Sequence, residues 1–129
     1  MTEQTQQDYQ ISVKVIATYL PDQSDPKDEK YVFSYRVHIQ NTGKVAAQLI
    51  SRQWIIHDAN NEMMDVSGLG VVGEQPLLEP NAYFEYVSGT LLKTPNDTMM
   101  GHYFFTAVDG HQFSVEIPMF NLSVPGSLH

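Results

Sequence analysis

Apolar and polar residues alternate along much of this chain with a period of two, the pattern of half-buried β-strands. Ile11, Val13 and Val15 alternate with Ser12 and Lys14, and Pro21 closes that run. Tyr31, Phe33, Tyr35, Val37 and Ile39 share one parity, opposite Ser34, Arg36, His38 and Gln40. That stretch is the clearest strand of the chain, with one dry face and one wet face. Val45 to His57 reads as the next strand, with Ile50, Trp54 and Ile56 on one parity. Arg52 falls on the same parity, so a bulge or bend is expected near it.

A turn at Asp58-Ala59-Asn60-Asn61 leads to a short returning strand from Met63 to Val66. Ser67 to Pro80 is an irregular, glycine-rich connection, and Ala82 to Leu92 is again β-prone. Met99 to Val108 and His111 to Phe120 flank Asp109-Gly110, a strong hairpin signal. A two-residue loop there pairs Val108 with His111. It places Phe104, Val108, Phe113, Val115 and Ile117 on the core side and Tyr103, Phe105 and Ala107 on the wetter side.

No segment carries a sustained helical period, and no internal repeat is present. Turn signals at this spacing predict an all-β sandwich of about seven or more antiparallel strands, with Trp54 as a core anchor. The length, 129 residues, suits one domain. The expected division is a disordered segment over 1–8, a sandwich domain over 9–122 and a flexible tail over 123–129.

Composition narrows the setting. There is no cysteine, so disulfides, thiolate nucleophiles and Cys-based zinc sites are excluded. The first residues lack the basic and apolar regions of a signal peptide, and no apolar run is long enough to span a bilayer. A soluble, cytoplasmic protein is expected. Seven Lys and Arg face fifteen Asp and Glu, a net charge of −8 that opposes binding to nucleic acid or to anionic membranes. Between Arg52 and Lys93 there is no Lys or Arg, whereas Asp58, Glu62, Asp65, Glu74, Glu79 and Glu85 all lie there.

Gly68-Leu69-Gly70-Val71-Val72-Gly73 spells GxGxxG, whose glycines let a backbone approach a pyrophosphate. The usual partner of that loop is a helix N-terminus. Here Glu74, Pro76 and Pro80 follow, with no helical pattern. Shaping a long connection is the simpler role, and a backbone nest for a lone anion at Gly68, Gly70 and Gly73 is the functional one. His38, His57, His102 and His111 have no metal-ligand spacing. The acids Asp22, Asp25, Asp28 and Glu29 share their loop with Lys27 and Lys30 and lack EF-hand spacing. No nucleophile elbow or other catalytic signature occurs. The hairpin register instead offers Tyr103 and Phe105 as an aromatic pair on the wetter face, a candidate partner-binding patch.

Several blocks, in order, resemble the ApaG family. They are Arg52-Gln53-Trp54-Ile55-Ile56-His57-Asp58-Ala59-Asn60, then Gly70-Val71-Val72-Gly73-Glu74-Gln75-Pro76-Leu77-Leu78, then Phe84-Glu85-Tyr86-Val87-Ser88-Gly89. Met100-Gly101-His102-Tyr103, Asp109-Gly110 and Val115-Glu116-Ile117-Pro118 continue the match, so the resemblance runs from about Tyr9 to Leu122. It implies an immunoglobulin-like or fibronectin type III-like β-sandwich. It also implies an association with cobalt and magnesium efflux, and a gene neighbouring that of a diadenosine tetraphosphate hydrolase. Similar domains in F-box proteins and in a protein that interacts with DNA polymerase delta imply protein–protein contact. The family's glycine motif has been likened to a pyrophosphate loop and maps onto Gly68, Gly70 and Gly73. Where members often carry Arg before the first glycine and an acid between the first two, this chain has Ser67 and Leu69. That change removes a counter-charge for phosphate. Asn81 stands after Pro80 where Gly is usual, and Asn tolerates left-handed geometry.

Together these features predict a non-catalytic binding module for an unknown protein partner, without a cofactor. Any link to cation efflux would then be indirect. The alternative is a small-ligand binder that takes a divalent cation, or a pyrophosphate or nucleotide at the glycine-rich loop.

Overall fold

The computed structural model describes residues 8–126. Eight strands form among them: β1 (Ile11–Tyr19), β2 (Tyr31–Asn41), β3 (Ala47–His57), β4 (Met63–Leu69), β5 (Leu77–Leu78), β6 (Tyr83–Leu92), β7 (Asn96–Ala107) and β8 (Gln112–Ser123). One sheet runs β1-β2-β6; the other runs β4-β3-β7-β8, with β5 paired to β3. All pairings are antiparallel. The two sheets face each other in an immunoglobulin-like, fibronectin type III-like sandwich. Among the described residues no helix is long and apolar enough to cross a membrane.

Strand alternation builds the core directly. Phe33, Tyr35, Val37 and Ile39 of β2 are buried, as the period-two pattern requires. They face Leu49, Trp54 and Ile56 of β3 and Ile117 and Leu122 of β8. Trp54 packs edge-on against Tyr35, Phe120 and Tyr103, with ring centroids 5.5, 6.0 and 6.2 Å away. Burying each such side chain stabilises the fold by about 1.5–3 kcal/mol.

The bulge expected near Arg52 is present. Leu49 pairs with Phe105 and Ser51 with Phe104, leaving Ile50 without a match. Asn81 adopts a left-handed φ of 72°. Buried Asn41 ties the sheets together at one end. Its Nδ2 donates to the carbonyls of Val45 (3.0 Å) and Leu78 (2.9 Å), and its Oδ1 accepts from the Gly43 N–H (2.8 Å).

The final hairpin differs from expectation by one residue. Thr106 pairs with Gln112, Phe105 with Phe113 and Tyr103 with Val115. Ala107 closes the turn, accepting from the Gly110 N–H (2.9 Å) and donating to the His111 carbonyl (2.8 Å). The loop therefore holds three residues, Val108-Asp109-Gly110, with Gly110 at a left-handed φ of 91°. A slip of one residue exchanges the faces of β7. Tyr103, Phe105 and Ala107 are buried in the core, and Phe104 and Val108 face outward. On β8, Phe113, Val115 and Ile117 do face the core.

Backbone hydrogen bonds extend towards both ends of the described chain. Asp8 is already tied down, its carbonyl accepting from the N–H groups of Lys44 (3.0 Å) and Val45 (3.2 Å). Leu122 is fully buried, Ser123 belongs to β8, and the Val124 N–H donates to the Pro95 carbonyl (2.9 Å). Strand β8 thus ends at Ser123. Residues 1–7 and 127–129 lie outside the described residues.

Candidate binding surface

Cross-strand pairs define the outer face of the larger sheet row by row. One row reads Leu69, Ser51, Phe104 and Ser114; the next reads Ser67, Gln53, His102 and Glu116. A third begins Asp65, Ile55 and Met100. Phe104 is 39% exposed and Leu69 is 74% exposed. Two open grooves meet at Phe104. One, of about 420 Å³, runs along Ile50, Thr106, Gln112 and Ser114. The other, of about 510 Å³, runs along Ser51, Gln53, Ser67 and Leu69. The result is an apolar strip bordered by hydroxyl, amide and carboxylate groups.

Tyr103 and Phe105, the aromatic pair expected to contact a partner, are 0% and 2% exposed. They cannot be reached from solvent and are corrected to core residues. The Phe105 ring stacks on Phe113 at 5.5 Å, and the Tyr103 hydroxyl bonds the Tyr86 hydroxyl inside the sandwich. The aromatic side chain that β7 does present outward is the intervening one, Phe104.

The three motif glycines occupy three different settings. Gly68 lies within β4 opposite Arg52, where a Cβ would approach the guanidinium to 2.9 Å. Gly70 leaves the strand at a left-handed φ of 62°, its N–H bonded to the Ile50 carbonyl (2.8 Å). Val71 and Glu74 then exchange backbone hydrogen bonds of 2.8 and 2.9 Å around Val72-Gly73, whose φ values of 44° and 81° are both positive. The N–H groups of Gly70, Val71 and Glu74 thus already serve backbone carbonyls, and β5, not a helix, comes next. Arg52 Nη1 donates to the carbonyls of Leu69 (2.9 Å) and Gly70 (2.7 Å). Sequence spacing gives no sign of this contact: the positive charge reaches the loop from β3, through Arg52, and not from position 67.

The titratable groups sort by burial. Asp97, at the start of β7, is buried and accepts from the Thr94 hydroxyl, which in turn accepts from the Ala59 N–H (3.1 Å). Burial pushes its pKa up to about 6. Asp97 borders a polar groove of about 260 Å³ with His57, Asp58, Thr98 and Asn121. On the smaller sheet's outer face, His38 Nδ1 meets Glu85 Oε2 at 2.9 Å, and the His38 ring stacks on Tyr83. Among the described residues no three His, Asp or Glu side chains are placed to hold a metal ion. The four internal histidines are accordingly not gathered: His102 pairs with Glu116, while His111 stacks on Tyr9 at 4.0 Å.

The ApaG domain model matches residues 21–107. The chain belongs to the ApaG family. It is similar to the protein ApaG of Methylobacillus flagellatus, 56% identical over 121 residues, which cover 94% of this chain and 95% of that protein. The ApaG protein of Ralstonia nicotianae is 50% identical, with 94% of this chain and 98% of that protein covered. A crystal structure of a Bordetella pertussis protein described as ApaA superposes with a TM-score of 0.91 at 48% identity, covering 94% of this chain and 98% of that one. The ApaG match takes in the glycine loop, β4 and Phe104, whereas the fold closes with β8 beyond it.

Proposed function

We propose that this ApaG domain is a non-catalytic, cytoplasmic binding module for a protein partner. In this reading the partner rests on the outer face of the larger sheet. The observation that carries it is the strip running from Leu69 past Ser51 to Phe104, with exposed apolar side chains inside a polar border. Interfaces commonly pair an apolar centre holding an aromatic anchor with a polar rim. The strongly displaced titratable groups sit elsewhere, at Tyr86, Tyr103 and Asp97, where burial displaces them. The cation-efflux association implied by the family resemblance is then an indirect effect of a lost partner.

Affinity capture with the native chain and with a Leu69→Ser/Phe104→Ser variant tests the proposal. The variant should stay folded and lose the captured proteins. Undiminished capture by a folded variant overturns the assignment.

A phosphate-type anion at Gly68, Gly70 and Gly73 is the second reading. Arg52 is the feature that supports it, because it brings a guanidinium to the loop. Titration with pyrophosphate should then move the amide resonances of residues 68–73, and unchanged resonances would end it.

A further inference from the structure

We infer that β4 is a strand-addition edge, and that it takes an extended, basic segment of a partner protein. This inference rests on the binding-module reading and names the chemistry of the partner.

The larger sheet ends at β4, whose only partner strand among the described residues is β3. Such an edge offers a row of unpaired N–H and C=O groups to another chain, and proteins ordinarily blunt it with charge, proline or a bulge. Over Met63–Leu69 there is no proline and no register shift against β3, and Asp65 is the one charged residue. The opposite edge, β8, carries Pro118, and its register against β7 shifts beyond Met99. β6, the edge of the smaller sheet on which Tyr86 sits, buries its inner side chains Tyr86 and Leu92.

The side chains of β4 are exposed on both faces. Met63 and Leu69 belong to the outer rows of the sheet. Met64 and Val66 pair with Ile56 and Trp54 and so point to the inner side, yet each is 45% exposed. The three-stranded smaller sheet thus leaves them partly uncovered. A strand added at this edge continues both rows. It extends the Leu69–Phe104 strip outside and gives Met64 and Val66 an apolar neighbour inside. β4 is seven residues long, so an added strand of similar length spans about 23 Å.

Charge selects the occupant. From residue 53 to residue 92 the chain has acids and no Lys or Arg. Asp65 faces outward on β4, and among the described residues its carboxylate is met by the neutral Gln53 amide, at 3.1 and 3.3 Å. Glu62 and Glu74 are exposed at the two ends of the same region. Arg52, on the neighbouring strand β3, donates to the carbonyls of Leu69 and Gly70. An occupant with Lys or Arg on the parity beside Asp65, and Val or Ile on the parity beside Met64 and Val66, satisfies both faces. A second copy does not, because its β4 would bring another Asp65 and no Lys or Arg to the same edge.

The test uses the full chain and two probes of about nine residues, one alternating Lys with Val and one alternating Glu with Val. Binding is read by fluorescence anisotropy, and its place by amide hydrogen exchange. The Lys–Val peptide should bind at least about tenfold more tightly than the Glu–Val peptide, and raised salt should weaken it. New exchange protection should fall on Met63–Leu69. Asp65→Lys, an exposed change that leaves the core intact, should weaken binding about tenfold, and Val66→Lys should abolish the added protection. Protection elsewhere, equal binding of the two peptides, or a concentration-dependent dimer protected at β4 overturns the inference. If peptide binding fails while Leu69→Ser/Phe104→Ser still loses native partners, strand addition alone is wrong. If that variant also keeps its partners, the binding-face reading falls with it.

Discussion

The phenolic hydroxyls of Tyr86, on β6, and Tyr103, on β7, meet across the interior of the sandwich, each the other's hydrogen-bond partner. Both residues are buried, and burial pushes the Tyr86 pKa up to about 12 and that of Tyr103 higher still. Removing one hydroxyl leaves the other dry and unbonded. Tyr103→Phe should therefore cost about 1–3 kcal/mol in urea unfolding, and Tyr103→Phe with Tyr86→Phe less than the sum of the two single changes. An additive double-mutant cycle would mean the two hydroxyls are not coupled. Because the folded pKa values are raised, this pair favours the fold below pH 10. Its contribution is lost as pH rises from 10 towards 12.

Asp97 gives a second pH dependence, of different origin. Its folded pKa of about 6 lies above the ordinary 3.8, chiefly through burial, with the Asp58 charge adding to the shift and the Thr94 hydroxyl opposing it. The native state therefore holds a proton between those values that the unfolded state releases. Stability falls as pH rises from about 4 to about 6 and levels off above that. Asp97→Asn keeps an acceptor for Thr94 and removes the charge. It should gain on the order of 1–3 kcal/mol at pH 7.5 and nothing at pH 4, as read from thermal melts of both proteins.

The two phenylalanines on either side of the sheet plane should separate cleanly. Phe105→Ala empties a core position and should cost about 3–5 kcal/mol. Phe104→Ala, on the exposed face, should change stability by less than about 1 kcal/mol. Reversal of that order in chemical denaturation would restore the two-residue hairpin register.

The glycine loop makes a graded prediction. At Gly70 a Cβ would sit 2.2 Å from the Glu74 carbonyl oxygen at a left-handed φ, so Gly70→Ala should cost at least about 3 kcal/mol. At Gly73 a Cβ meets nothing within 4 Å, and only the φ of 81° opposes it, so Gly73→Ala should cost about 1–2 kcal/mol. Val72, β-branched at a φ of 44°, should gain about 1 kcal/mol on change to Asn. Melting temperatures in the order Gly70→Ala, Gly73→Ala, native, Val72→Asn check all three.

Much of this architecture was legible in the residues. Strand β2 alternates so strictly that its buried face follows from the sequence, and Arg52 on an inward parity correctly marked the bulge at Ile50. The register of the last hairpin was not legible, for a physical reason. Asp109-Gly110 fits a two-residue turn and equally the three-residue loop observed, with Gly110 left-handed. The strand pattern could not arbitrate, because Tyr103, Phe104 and Phe105 are consecutive aromatics and either parity makes a plausible core. A contact distant in sequence accompanies the observed loop. The Tyr9 hydroxyl donates to Asp109 at 2.5 Å, holding that carboxyl below its usual range, and the Tyr9 ring covers His111. The candidate surface moved by one residue for the same reason, from Tyr103 and Phe105 to Phe104. The role of Arg52 at the glycine loop was hidden as well, because it depends on β3 and β4 lying side by side.

The interleaved strand order also governs how fast the molecule can assemble. Neither sheet can be completed by hairpins alone, since β2 must find β6 and β3 must find β7 across long intervening stretches of chain. Such distant pairings have to overcome loop-closure entropy before they yield any contact, which places refolding on the scale of milliseconds to seconds. During that interval β3, rich in Leu, Ile and Trp, can pair with β4 through a short turn but waits with its other flank bare, so a newly made chain is most vulnerable to aggregation before β7 emerges from the ribosome.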